Sequence, residues 1–299
     1  MTETPVRSEA RFPDGAAYRI EIPSTETPEA LAAILEEAER LDVPVHRVSQ
    51  GSGVSMLTDD ELDRFAALAA DAGVEVSLFA RPGAGWGTSA AARAPAGGAF
   101  AAAAWGTSQV HSALDDAVRA AAHGFRSVLI ADVGVLAAFG RMRRAGDLPP
   151  EMQAKASVML PVTNPETARL LQDLGADTIN VAGDLPVAEV AAIRAAVTVP
   201  LDLYVESPDD LGGFVRFHEV PELIAAAAPI YLKFGLRNAP PLYPLGAHMH
   251  PTALSMSRER VRRARLVVEL LAREGHAFPT SDRGAAGLAV PVRGARPIA

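Results

Sequence analysis

Eight times along the 299 residues, an apolar run of strand length is followed by a helical pattern, with Gly, Pro or a helix N-cap residue marking each junction. Parallel strands need a crossover between them, and a helix is the usual one, so eight such units predict an α/β protein of the (β/α)8 TIM-barrel type. A doubly wound parallel sheet is the alternative. The strands are expected near Tyr18 to Ile22, Val43 to Val48, Glu75 to Ala80, Ser127 to Asp132, Ala156 to Leu160, Thr178 to Val181, Leu201 to Val205 and Pro229 to Phe234. Thr27-Pro28-Glu29, Asn164-Pro165-Glu166 and Asp184-Leu185-Pro186 read as helix starts, and Thr58-Asp59-Asp60-Glu61 as a capping box. Gly73, Gly124 and Gly175 read as helix stops directly before strands.

The whole chain, 1–299, is expected to form one barrel domain, since barrels of this length are routine. Two segments depart from the repeat. Residues 83–112 form a long Ala/Gly-rich stretch after the third strand; it reads either as a spacer or as a lid carrying Trp86 or Trp105 over the barrel mouth. After the eighth strand, a Pro-rich stretch leads to an amphipathic C-terminal helix over 255–275, and residues 276–299 are expected to be loosely ordered. The arginines of that helix, Arg260 among them, read as a solvated face shared with Glu259 and Glu269.

Composition narrows the function. A formal net charge of −8 opposes a sequence-independent grip on nucleic acid. No apolar stretch is long enough to span a membrane and no leader pattern opens the chain, so a cytoplasmic location is expected. With no cysteine there is no disulfide, thiolate nucleophile or cysteine-held cluster. Of the 28 basic residues only Lys155 and Lys233 are lysines, a bias a GC-rich genome explains. Each remaining lysine still has added interest, because lysine can lose a proton or form an imine and arginine cannot.

In such barrels the chemistry gathers at the carboxyl ends of the strands. Polar residues expected there are Glu21, His46, Gln50, Arg81, Asp132, Asn164, Asn180, Glu206, Lys233, Arg237 and Asn238. Lys233, inside Pro-Ile-Tyr-Leu-Lys-Phe-Gly, reads as an imine-forming lysine, an anion clamp or half of a structural ion pair with Glu206. Glu206 ends a strand in which Asp202 and Tyr204 share its parity, which makes it a candidate general base and Asp202 a structural partner. Lys155 begins its strand and belongs on the opposite, stability-giving face. His248 and His250 could join Glu206 or Glu21 around a metal, but a His-x-His pair flanked by prolines suits a stiff loop equally, and no bound metal or other cofactor is expected.

The order Ala131-Asp132-Val133-Gly134-Val135-Leu136, Lys155-Ala156-Ser157-Val158-Met159, Val162-Thr163-Asn164 and Leu174-Gly175-Ala176-Asp177 resembles the collagenase-like peptidases of family U32. The next unit, Thr178 to Glu206, is similar as well, so the likeness runs from about Val43 to Glu206. The resemblance implies a barrel. It departs where the family carries cysteines: here the chain reads Ser207-Pro208-Asp209-Asp210-Leu211 and contains no cysteine. The cluster-dependent hydroxylations of some members are therefore not implied, and no Ser/His/Asp triad or His-Glu-x-x-His site gives proteolysis a mechanism.

Together these readings predict a U32-like barrel acting on a small polar, anionic or peptide substrate. Glu206 and Lys233 are the catalytic candidates, and Glu21, His46, Gln50, Arg81, Asp132, Asn180, Arg237 and Asn238 the substrate-binding ones. Hydrolysis is the first expectation, a lyase or aldolase working through a Lys233 imine the second, and a ligand-binding barrel without chemistry the third. Self-association stays open.

Overall fold

The computed structural model describes residues 7–81 and 103–294. Eight parallel strands close into a barrel in sequence order. They are β1 (Tyr18–Pro23), β2 (Val45–Ser49), β3 (Glu75–Phe79), β4 (Ser127–Ile130), β5 (Gln153–Ala156), β6 (Thr178–Asn180), β7 (Leu201–Glu206) and β8 (Ile230–Phe234), and β8 pairs back onto β1. The helices are α1 (Pro28–Leu41), α2 (Asp59–Ala72), α3 (Thr107–Ala122), α4 (Val133–Ala145), α5 (Pro165–Leu174), α6 (Val187–Ala196), α7 (Val220–Ala227) and the C-terminal α8 (His250–Arg273), which packs on α1 and closes the ring.

The local signals act as chemistry dictates. Thr27 caps α1 with Pro28 in its first turn, and Thr58 with Glu61 completes both halves of a capping box on α2. Asn164 caps α5, and Gly73 and Gly175 end α2 and α5 in the left-handed conformation. Gly73 has a second constraint: a Cβ there would meet the backbone nitrogen of Gly284 at 2.9 Å. Asp184 caps nothing, because α6 starts from Pro186 without a side-chain cap.

Several boundaries differ from the sequence reading. β5 lies at Gln153–Ala156, not Ala156 to Leu160, since Ala-Lys-Ala pairs with β4 while Ser157 to Leu160 turn out of the sheet. Helix α3 begins at Thr107, inside the stretch read as loop, and α8 begins at His250, five residues before the expected start. Trp105 is exposed beside α3, its backbone N–H donating to Gln109; Trp86 and most of the 83–112 stretch lie outside the described residues.

The largest departure is at the amino-terminal end of the barrel. Residues 276–294, expected to be loose, cross that end and anchor there. Thr280 bridges to Tyr18, and Ala17 N–H donates to the Pro279 carbonyl at 2.7 Å. Buried Arg19 donates to Ser281 Oγ at 2.8 Å, to the Ala286 carbonyl at 2.7 Å and to Tyr231 Oη at 3.1 Å, with Phe12 stacked on its guanidinium. Each is a polar group that a Gly/Pro-rich composition hides from sequence reasoning.

His46 belongs to this latch and lies away from the carboxyl ends of the strands. Its Nδ1 accepts from Ile20 N–H at 2.9 Å and its Nε2–H donates to the Ser281 carbonyl at 2.7 Å, which fixes the neutral ring. Burial lowers its pKa to about 4, so between that value and the unfolded value near 6.5 only the unfolded chain takes up the proton. Its stabilisation is complete above about pH 6.5 and is lost as pH falls toward 4. Asp116 works in the opposite sense, because burial raises its pKa to about 6 and folding then favours its protonated form. Comparison with a His46→Gln variant isolates the histidine: from pH 7 to pH 5 the wild type should lose about 2 kcal/mol more urea-unfolding free energy than the variant. Parallel pH profiles would remove the assigned role.

Candidate active site

The barrel interior is charged where branched apolar side chains usually fill it. Glu21 on β1 sits beside Arg47 on β2 and Lys233 on β8 in the strand register. Arg47 Nε donates to Glu21 Oε2 at 2.8 Å, and its Nη2 reaches Asp202 Oδ1 on β7. Lys155 Nζ donates to Glu21 Oε2 at 2.7 Å and to Asp202 Oδ2 at 2.5 Å. Glu75 lies 3.7 Å from Arg47. Three cations (Arg47, Lys155, Lys233) thus face three carboxylates (Glu21, Glu75, Asp202), all buried. The Arg47, Lys155 and Lys233 charges hold Glu21 well below the usual carboxylate range despite its burial. Burial, then Arg47, lowers Lys155 to about 8.

Lys155 is therefore at the centre of the barrel and not on its stability-giving face. The cause is the earlier placement of β5, which makes this residue an inward-pointing strand position.

Above this layer, at the carboxyl ends of the strands, lies a chamber of about 510 Å³, a size that suits a metabolite. Lys233 forms part of its floor. The residue is only 2% exposed, and its Nζ lies 4.2 Å from the Tyr204 ring centroid and 3.5 Å from Glu21 Oε1. With the Asn180 amide oriented to satisfy both neighbours, its oxygen accepts from Lys233 Nζ at 2.6 Å and its nitrogen donates to the Asp202 carbonyl at 3.0 Å. Burial lowers the Lys233 pKa, and the charges of Glu21 and Asp202 partly restore it. Ser49, which donates to Glu21 Oε1 at 2.7 Å, also reaches the chamber, as do Ser157, Met159 and Tyr204.

The other expected residues divide by position. Gln50 and Arg81 line the chamber; Gln50 also closes its own loop through Gly53, and Arg81 Nη1 donates to the Gly51 carbonyl at 2.9 Å. Glu21 and Asn180 act from beneath, through Lys233. Asp132 caps α4 and accepts from Ala104 N–H, and Asn164 caps α5. Arg237 and Asn238 sit on the exposed rim, where Asp209 lies 3.4 Å from Arg237 Nε and accepts from Asn238 N–H at 2.7 Å.

Glu206 is buried outside the chamber. A bulge between Tyr204 and Glu206 breaks the period of two that would have aligned it with Asp202. Its Oε1 accepts from Arg237 N–H at 3.1 Å and its Oε2 lies 3.6 Å from Arg263 Nε on α8. His248 and His250 do not meet Glu206 or Glu21: among the described residues no group of three or more His, Cys, Asp or Glu could hold a metal. His250 instead borders a separate pocket of about 210 Å³ with Glu26 and Glu61.

Sequence reasoning missed Arg260 and Tyr243. Arg260 departs from the solvated face expected of the α8 arginines: it is buried and lines the chamber. Its neighbours Ala253, Met256, Ser257, Val261 and Ala264 are buried at helical spacing, and that pattern puts residue 260 on the inner face. Tyr243 comes from the Pro-rich stretch after β8, bonds Ser24 through its hydroxyl and lies so close to Gly51 that a Cβ there would meet the ring at 2.4 Å. Nothing in its local sequence marks that contact.

Residues 103–207, from just before α3 to just past β7, match the model of peptidase family U32. The chain is a U32-like (β/α)8 barrel. The match starts well after Val43, where the resemblance in sequence was expected to begin. No curated protein sequence matches. Among solved structures, the chain is similar to the U32 peptidase Mk0906, at 17% identity with a TM-score of 0.45 over 81% of this chain and 100% of that one. It is also similar to a truncated 3-deoxy-D-arabino-heptulosonate 7-phosphate synthase from Thermotoga maritima, at 14% identity with a TM-score of 0.45 over 90% of this chain and 95% of that one. Neither likeness bears on what this chain acts on.

The charge layer makes a direct prediction. Asp202→Asn leaves Arg47 and Lys155 short of a carboxylate in a buried setting and should cost about 3 to 5 kcal/mol in urea unfolding. A loss under about 1 kcal/mol would mean that Glu21 and Glu75 compensate both cations without it.

Proposed function

We propose that the protein is an enzyme of the lyase or aldolase type, in which Lys233 forms an imine with the carbonyl of a small substrate held in the chamber. The observation that carries this reading is the setting of Lys233: an amine on the chamber floor, with Asn180 and Glu21 beneath it. An amine attacks a carbonyl only when unprotonated, and burial makes that form easier to reach. The ammonium first gives up one proton, the free amine adds to the carbonyl to form a carbinolamine, and a proton returned to its hydroxyl lets that group leave as water. Overall, ammonium and carbonyl give a protonated imine and water, and a single positive charge stands opposite Glu21 before and after. The three-against-three balance of the interior is preserved through the step. Tyr204, its own ionisation suppressed by burial, lies against the same nitrogen and shields it from bulk water.

Hydrolysis is the weaker reading, because Glu206, its expected general base, lies outside the chamber. A non-catalytic binding barrel would have no evident need for an amine so placed.

Intact-mass analysis after borohydride treatment with a panel of small aldehydes and ketones should show a reduced adduct on Lys233 in the wild type and none in Lys233→Arg, which keeps the charge but cannot form an imine. Absence of an adduct across the panel, with activity surviving in Lys233→Arg, would leave Lys233 as an anion clamp.

A further inference from the structure

Every buried basic residue among those described has partners, with one exception. Arg19, Arg47, Lys155 and Lys233 meet carboxylates, hydroxyls or carbonyls as described above; Arg194 donates to the Val197 and Val199 carbonyls, and Arg216 to Glu219 and to the Gly183 and Leu185 carbonyls. Arg260 is 3% exposed, and its Nε and Nη1 have no hydrogen-bond partner. Its surroundings are Tyr204 and Tyr243, while Glu26 and Glu206 attract it only from beyond ion-pair distance. Burying a guanidinium this way costs several kcal/mol unless an anion joins it, and the chamber is the space from which an anion could come.

We propose that Arg260 is the carboxylate anchor of the chamber. Taken with the imine reading, on which the carbonyl half of this assignment rests, the substrate is a small oxo acid with its carboxylate on Arg260 and its carbonyl at Lys233. A guanidinium fork matches a planar carboxylate in shape. A phosphate fits poorly. Barrel phosphate sites draw on helix N-termini in the loops after the seventh and eighth strands. Here the N-terminus of α8 borders the other pocket through His250, α7 after β7 does not line the chamber, and the first turn after β7 brings Asp209 and Asp210 to it, which repel a dianion more strongly than a monoanion. Leu129, Met159, Leu242 and Met256 complete the walls and suit a short aliphatic chain.

The test uses the full chain and four probes: 2-oxobutyrate, butyrate, 2-butanone and inorganic phosphate, with binding followed by calorimetric titration and thermal shift. Butyrate and 2-oxobutyrate should bind the wild type. Arg260→Met should weaken both about thirtyfold or more, and Arg260→Lys should retain part of the affinity. Without ligand, Arg260→Met should raise Tm, since it removes an unpaired buried charge; a purely structural arginine would give a fall. The proposal is overturned if the carboxylates bind Arg260→Met as well as they bind the wild type, if phosphate alone binds, or if Arg260→Met lowers the unliganded Tm without altering binding. Failure of the imine reading looks different: butyrate still requires Arg260, but borohydride with 2-oxobutyrate leaves Lys233 unmodified.

Discussion

Glu21 joins three cations from three other strands, and the rest of the interior is arranged around that shared carboxylate. Arg47 and Lys155 reach it at 2.8 and 2.7 Å and then extend to Asp202, so strands β1, β2, β5 and β7 are tied through one bonded cluster. An arrangement of this kind is a poor source of net stability, because desolvating each ion offsets most of the attraction. Its value lies in specification. Polar strands have few alternative packings once each charge must find its partner, and a slipped register would leave ions unpaired in the core. The same cluster sets the environment of Lys233: Glu21 is already bonded by two nearer cations and gives the third a weaker hold at 3.5 Å.

Hydrophobic periodicity and cap chemistry made the eight-unit barrel legible, because those signals are local and each is carried by a few adjacent residues. Thr58 with Glu61, and Asn164 before Pro165, could be read without any knowledge of the partner strands. Lys233 was legible as well, since an ammonium in an apolar strand has few explanations. What was not legible depended on a single irregularity or a distant contact. The bulge after Tyr204 turns Glu206 away, although strict alternation would have kept it with Asp202. Moving β5 by three residues takes Lys155 from the margin to the centre. Arg260 shows a different failure: among several arginines on one helix, only the burial of its neighbours separates it from the solvated ones.

The chamber joins two regimes. Its floor is the charge-balanced layer, where the sum of fixed charges is small and an added proton or bond is felt strongly. Its walls hold aromatic and aliphatic side chains, with Arg260 as a cation that no protein group neutralises at close range. Such a site discriminates by what it leaves unpaired: a neutral ligand fills space, while an anionic one also satisfies a buried donor. The Pro-rich stretch after β8 contributes through Tyr243, whose contact with Gly51 tightly fits the wall to the loop after β2.

The anchoring of residues 276–294 across the amino-terminal end has a consequence for biosynthesis. Arg19 is made early, yet its bond to Ser281 spans 262 positions, and the carbonyl that holds His46 lies 235 positions away. While the chain emerges from the ribosome, both side chains sit in β1 and β2 without the groups that will satisfy them, and β1 also lacks β8. Contacts of such sequence separation form late and slowly. The first two strands therefore gain their last partners, β8 and the 276–294 segment, only when nearly the whole chain has been synthesised.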